Sequence, residues 1–349
     1  MKKKAILLLF GGCSPEHAVS LQSAHAVITH IDRDRFAPVP VGITRQGAWL
    51  HYTGDWQAIA TGDWEKDATH CAPAVVSPDR GRKALLVLGD APRTIALDAA
   101  FPVLHGANGE DGTVQGLLEL AGIPVVGCGT LASALCMDKV RAHHLAQQAG
   151  VRVAKSVVFD AMAGADRALQ AVAGLRWPLF VKPVRAGSSF GITKVAAPEQ
   201  LQGAMERAFA YDSEVIVEEA VDGFEVGCAV MGDRTLTVGE VDEIELSGGF
   251  FDYGEKYALK TSRIHVPARV DEAVSARIKQ TACTLYRAMG CAGFARVDMF
   301  LTPEGEICFN EINTIPGFTA HSRFPAMMRA AGMSFGALVN RLIEQGVGE

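Results

Sequence analysis

At 349 residues the chain exceeds what one ordinary hydrophobic core organises, and its length predicts two or three domains. A net charge of -6, with Lys and Arg dispersed, leaves no basic field for nucleic acid, while 49% hydrophobic residues and 36 glycines fit an α/β enzyme built on many tight turns. The eight cysteines form no Cys-x-x-Cys pair and no apolar run is long enough to span a membrane, so reduced thiols and a cytoplasmic protein are expected.

Lys2 to Lys4 precede the apolar run Ala5 to Phe10, which is too short for a secretory signal and reads as a parallel strand buried on both faces. Gly11-Gly12 ends it, and Ser14 as N-cap with Pro15 at the first helical position predicts a helix to about Ile31. A glycine turn feeding a helix attracts anions, although full G-x-G-x-x-G spacing is missing. Glu16, in the first turn, suits either the helix macrodipole or a substrate ammonium. Strands are expected at Pro38 to Ile43, Ala84 to Leu88 and Leu97 to Leu104, with little pattern around Trp56 and Trp64. The third runs into His105-Gly106 and the acidic, glycine-rich Asn108 to Gly112, where open α/β sheets hold ligands. His105 fits a ligand contact or a hydrogen-bonded loop residue.

One capped helix is expected from Thr130 to Gln148, carrying Lys139 and an adjacent His143 and His144 that read as surface or packing residues. Leu179 to Lys182, a loop containing Gly187, Ser188, Ser189 and Gly191, and Ile192 to Val195 form a strand, Gly/Ser loop, strand unit. It lacks the G-K-[ST] of a Walker loop, yet its N–H groups, its serines and Lys182 suit an anion; a plain hairpin fits the same pattern. After a helix from Glu199 to Tyr211, Glu214 to Val221 is a strand entering a hinge. There Glu218, Glu219, Ala220 and Val221 can meet a purine edge, with Glu225 as a carboxylate for ribose hydroxyls. Strands at Val226 to Met231 and Val238 to Leu246, the latter carrying Asp242, precede a long loop from Ser247 to Ser262 with Phe251, Lys256 and Tyr257, of the length functional lids have.

Beyond a helix from Asp271 to Met289, Phe294 to Leu301 and Glu306 to Asn313 flank a Thr-Pro-Glu-Gly turn and read as a β-hairpin. Pairing Leu301 with Glu306 sets Asp298 opposite Phe309 and Arg296 opposite Glu311, with Arg296, Asp298, Glu311 and Asn313 on one face. Such a face suits Mg²⁺ or Mn²⁺ held by oxygen ligands, or a polar surface neutralised by Arg296. An amphipathic helix from Ser334 to Gln345 closes the sequence.

These ordered segments resemble the ATP-grasp superfamily and, within it, the D-alanine:D-alanine ligases. The motifs are Phe10-Gly-Gly-x-Ser-x-Glu16-His-x-Val-Ser20, His105-Gly-x-x-Gly-Glu-Asp-Gly112, Met137-Asp-Lys139, Lys182-Pro-x-Arg-x-Gly-Ser188-Ser189, Tyr253-x-x-Lys256-Tyr257, Arg296-x-Asp298 and Glu311-x-Asn313-Thr-x-Pro-Gly317. The resemblance implies an α/β ATP-grasp fold: a Rossmann-like parallel-sheet domain over residues 1–127, a central α+β domain over 128–213, and a C-terminal α+β domain over 214–349 with the lid at 247–262. It implies that Lys139, Lys182 and Ser189 contact ATP phosphates, that Glu218 to Val221 hold adenine and Glu225 the ribose, and that Asp298, Glu311 and Asn313 bind two Mg²⁺ (or Mn²⁺) ions. Glu16 then receives the first D-alanine's ammonium, with Ser188 and Tyr257 linking it to the lid and His105 nearby. Arg296 and the Gly317 backbone stabilise an oxyanion, and Lys256 and Ser322 surround the second substrate. A homodimer is the family's expectation.

The second subsite departs from the housekeeping pattern. Phe250-Phe251-Asp-Tyr253 and Ser322-Arg323 stand where Phe-Tyr-Asp-Tyr and a Leu or Met after the serine are usual. Arg323 with an intact Lys256-Tyr257 is similar to the vancomycin-resistance D-alanine:D-serine type, with Asp242 placed to orient Arg323 or the serine hydroxyl. The alternatives are that Arg323 pairs with a lid carboxylate such as Glu255, with D-alanine still accepted.

Overall fold

The computed structural model describes residues 2–89, 91–162, 165–246, 262–319 and 321–348. The expected lid residues Phe251, Lys256 and Tyr257 lie outside the described residues.

The apolar run expected as a buried strand is Lys4–Gly11, whose residues Ile6 to Phe10 have no exposed surface. It lies between Phe36–Ile43 and Ala99–Pro102 and runs parallel to both. Trp49–Tyr52, Cys71–Val76, Ala84–Val87 and Arg93–Ala96 extend this sheet antiparallel on one side, to seven strands. The chain leaves the carboxyl ends of Lys4–Gly11 and Ala99–Pro102 in the loops that carry Glu16 and His105, the end at which parallel strands present ligands.

The regular helix starts later than predicted, at His17–His30 with Glu16 at its N-cap. The Ser14 hydroxyl still accepts from the Glu16 N–H at 3.2 Å, as a cap does, and donates to the His105 carbonyl at 2.6 Å, joining the two loops. Thr130–Met137 and Lys139–Gln148 are two helices where one was expected. Extended backbone at Asp138 breaks them, and its carboxylate caps the second by accepting from the Arg141 N–H at 3.0 Å.

A four-stranded antiparallel sheet holds Thr193–Val195, Leu179–Pro183, Glu214–Glu219 and Ser156–Asp160 in that order. A six-stranded sheet runs Ser262–His265, Leu236–Leu246, Phe224–Gly232, Phe294–Leu301, Ile307–Asn313 and Arg152–Val153. Edge-to-face and tilted contacts of Phe294 with Phe101, Phe318 and Phe324 pack the N-terminal sheet against this one in a shared core.

The C-terminal hairpin forms, but in a different register. Asp298 pairs with Glu311 and Arg296 with Asn313, while Met299 pairs with Phe309, so Asn310 is a bulge that shifts the pairing between Asp298 and Met299. The expected Asp298 to Phe309 pairing is therefore incorrect: the turn pairs Leu301 with Ile307 and not Glu306, and the bulge adds a second one-residue shift, so that the two carboxylates lie directly opposite.

Candidate active site

Two neighbouring clefts collect the expected residues. One is lined by Glu16, His105, Glu110, Ser188, Arg296, Asn313, Gly317, Ser322 and Arg323. The other is lined by Lys139, Lys182, Ser189, Glu218 to Val221, Glu225 and Glu311.

In the first, the Ser188 hydroxyl donates to Glu16, 172 residues away. Ser188 and Ser189 both have positive φ (49° and 59°), a strained conformation for non-glycine residues, and it is this loop that delivers Ser188 to Glu16. Glu110 joins them, accepting from the Gly106 N–H at 2.7 Å. Burial, with the neighbouring Glu16 carboxylate, pushes Glu110 up to about 8 against the opposing Gly106 N–H and Arg296. Glycine is needed at 106, since a Cβ there would lie 2.6 Å from Glu16 Oε2. His105 is buried and its pKa is lowered by burial. Nδ1 lies 3.0 Å from the Ile315 carbonyl, which fixes the proton there, and Nε2 accepts from the Ser23 hydroxyl at 3.1 Å. Both ring nitrogens are thus committed, and His105 braces the wall beside Gly317.

Arg296 chelates Asp298, with Nε at 2.8 Å from Oδ1 and Nη2 at 2.7 Å from Oδ2. The Asn313 amide donates to Asp298 Oδ2 at 2.9 Å, which orients its own carbonyl oxygen away from Asp298. Arg323, the first residue of the helix Arg323–Ala330, donates from Nε and Nη2 to Asp242 at 2.7 and 2.9 Å and from Nη1 to Glu225 at 2.7 Å, with Nη2 also 3.3 Å from Asp298. Burial opposes the charge, but Asp242 and Asp298 keep Arg323 cationic. Ser322 accepts from the Thr319 N–H at 3.0 Å, holding the turn after Gly317.

In the second cleft Lys182 and Glu218 pair with each other at 2.5 Å. Burial raises the Glu218 pKa, yet the Lys182 ammonium, by its charge and its hydrogen bond, outweighs it and holds the carboxyl below its ordinary value. Lys139 donates to the Ala186 carbonyl at 2.6 Å and so reaches the Gly/Ser loop. Glu110 was legible only as part of the acidic, glycine-rich loop, and Gly227 carried its signal as a glycine inside a strand.

The family model described as D-ala D-ala ligase C-terminus matches residues 145–344, and that of the N-terminus matches residues 5–128. The chain belongs to the D-alanine:D-alanine ligase family. It is an ATP-dependent ligase of the ATP-grasp fold that forms a peptide bond between small-molecule substrates, and the family works with ATP and a divalent metal.

Among its relatives, the crystal structure of VanG D-Ala:D-Ser ligase from Enterococcus faecalis is 56% identical with a TM-score of 0.93, covering 99% of this chain and 100% of that one. The vancomycin B-type resistance protein VanB of Enterococcus faecalis is 44% identical over 98% of both chains. The D-alanine:D-alanine ligase of Caldicellulosiruptor bescii is 41% identical over 98% of this chain and 95% of its own.

Among the described residues no three His, Cys, Asp or Glu side chains converge as a metal cage. Asp298 opposite Glu311, with the Asn313 carbonyl oxygen turned outward, is an oxygen-only set of the kind that fits Mg²⁺ or Mn²⁺ when substrate phosphates complete the coordination. All eight cysteines are free, and among the described residues no helix is long and apolar enough to cross a membrane.

Proposed function

We propose that this ligase joins D-alanine to D-serine through an acyl phosphate, making the altered peptidoglycan terminus associated with vancomycin resistance. The observation that carries the reading is Arg323, held by Asp242, Glu225 and Asp298 in the wall of the substrate cleft. Three of its five N–H groups donate to Asp242 and Glu225, and a fourth faces Asp298 in an ion pair. The fifth suits an acceptor such as a serine hydroxyl, and a site built to hydrogen-bond a hydroxyl discriminates against the analogue lacking it. The 56% identity to VanG D-Ala:D-Ser ligase points the same way.

The first D-alanine binds by its ammonium to Glu16, with Ser188 and the lid's Tyr257 closing over it. A carboxylate oxygen attacks the γ-phosphorus of ATP and ADP leaves, while Lys139, Lys182 and Ser189 hold the phosphates. Asp298, Glu311 and Asn313 would hold the divalent metal, for which two ions, Mg²⁺ or Mn²⁺, are proposed, and it would supply charge neutralisation at the transferred phosphoryl group. Glu218 to Val221 hold the adenine and Glu225 the ribose. The second amine attacks the acyl carbon, the C–N bond forms and phosphate leaves. Arg296 and the Gly317 N–H stabilise the oxyanion between these events. Phe251, Lys256, Ser322 and Arg323 enclose the second substrate, with Asp242 orienting Arg323. Lid closure keeps water from the acyl phosphate. The enzyme works as a homodimer in the cytoplasm, with domains at 1–127, 128–213 and 214–349.

The test is the ratio of kcat/KM for D-serine to that for D-alanine as second substrate. Arg323→Leu should lower the ratio, and an unchanged ratio refutes the assignment of selectivity to Arg323.

A further inference from the structure

We propose that His143 is a positioning residue of the nucleotide cleft, one ring nitrogen addressing Glu218 and the other the Asn310 carbonyl. The inference rests on reading this cleft as an ATP site. Glu218 belongs to the four-stranded sheet and Asn310 to the six-stranded sheet, so the buried imidazole, presented by the helix Lys139–Gln148, stands between the two jaws of the cleft.

Nε2 lies 3.4 Å from the Asn310 carbonyl oxygen. A carbonyl only accepts, so this contact assigns the proton to Nε2 and leaves Nδ1 as an acceptor. Nδ1 faces Glu218 Oε1 at 3.8 Å, and both atoms are buried without a hydrogen-bond partner. Two buried acceptors so placed call for a shared donor. An amine with two N–H groups, such as the exocyclic amine of adenine, has that chemistry, whereas the 6-oxo group of hypoxanthine lacks it. Phe309, edge-to-face with the imidazole at 5.7 Å, fixes the ring plane.

The Nε2 contact has a separate consequence. Asn310 is the bulge residue that brings Glu311 opposite Asp298. His143 therefore braces the base end of the cleft through Glu218 and the phosphate end through the bulge.

Two near-isosteres separate these roles, because Asn mimics the Nδ1 position and Gln the Nε2 position. Calorimetric titration of the intact chain and of His143→Asn and His143→Gln with ATP and with ITP, each with and without Mg²⁺, reads both ends. In His143→Gln the preference for ATP over ITP should fall about tenfold, the worth of one hydrogen bond, with the Mg²⁺ enhancement of ATP binding kept. In His143→Asn the preference should persist and the Mg²⁺ enhancement fall. Equal losses in both variants, as a packing role predicts, or no change in either, overturn the proposal. An unaltered chain that fails to bind ATP overturns it as well, whereas one that binds ATP without making a dipeptide overturns only the functional reading.

Discussion

Arg323 and Asp242 meet through the space that a glycine leaves open. Gly227 pairs with Asp242 on one side and Asp298 on the other, and a Cβ at 227 would lie 2.4 Å from Arg323 Nη2, 2.6 Å from Asp242 and 3.0 Å from Asp298. The guanidinium thus fills a hole in the sheet and ties together carboxylates from three strands. Gly227→Ala should push Arg323 out of this pocket. Because separating a buried pair costs about 3–5 kcal/mol, urea unfolding should show a loss of that order, together with a reduced preference for D-serine over D-alanine.

Lys182 and Glu218 are another largely buried pair, one expected at the phosphates and one at the base. Lys182→Met strands the Glu218 carboxylate, and Glu218→Gln strands the ammonium. Each single variant should lose more stability than its share of the double variant, giving a coupling energy of about 1–3 kcal/mol in a double-mutant cycle. Additive losses would mean that the contact contributes nothing.

Glu110 makes stability depend on pH. Its folded value of about 8 stands above its ordinary 4.5, so between these values the folded protein holds a proton that the unfolded chain has released. Stability from this group is therefore present below 4.5 and lost as pH rises toward 8. Glu110→Gln should flatten that decline in denaturation midpoints measured across the range, while an unaltered slope would locate the titration elsewhere.

Asp298→Ala and Glu311→Ala should each abolish ATP-dependent ligation, followed as ADP release. Asp298→Ala should also lower stability, because Arg296 and Arg323 both lose a buried counter-charge. Turnover retained in either variant would remove these residues from the metal site.

The strands that carry the site were legible because their patterns are local: Ala5 to Phe10 is wholly apolar, and the loop around Ser188 is flanked by two short β runs. The break at Asp138 was missed because no glycine or proline marks it, although Asp138 is itself a good N-cap residue. The hairpin register was missed twice over: the turn holds one residue more than the pairing of Leu301 with Glu306 assumed, and the bulge at Asn310 adds another, which residue types alone do not reveal. Two of the three partners of Arg323 lie 81 and 98 residues away in sequence, and only Asp242 was foreseen, while Glu225 was assigned solely to the ribose. Contacts of this kind are set by sheet order, which no local pattern encodes.

The most direct test of the central claim is the product formed in competition. The purified protein is incubated with ATP, Mg²⁺ and D-alanine, with and without equimolar D-serine, and the dipeptides are separated by chromatography. The account predicts mainly D-alanyl-D-serine from the mixture. Mainly D-alanyl-D-alanine would contradict it and leave the Arg323 network as a structural feature of a D-alanine:D-alanine ligase.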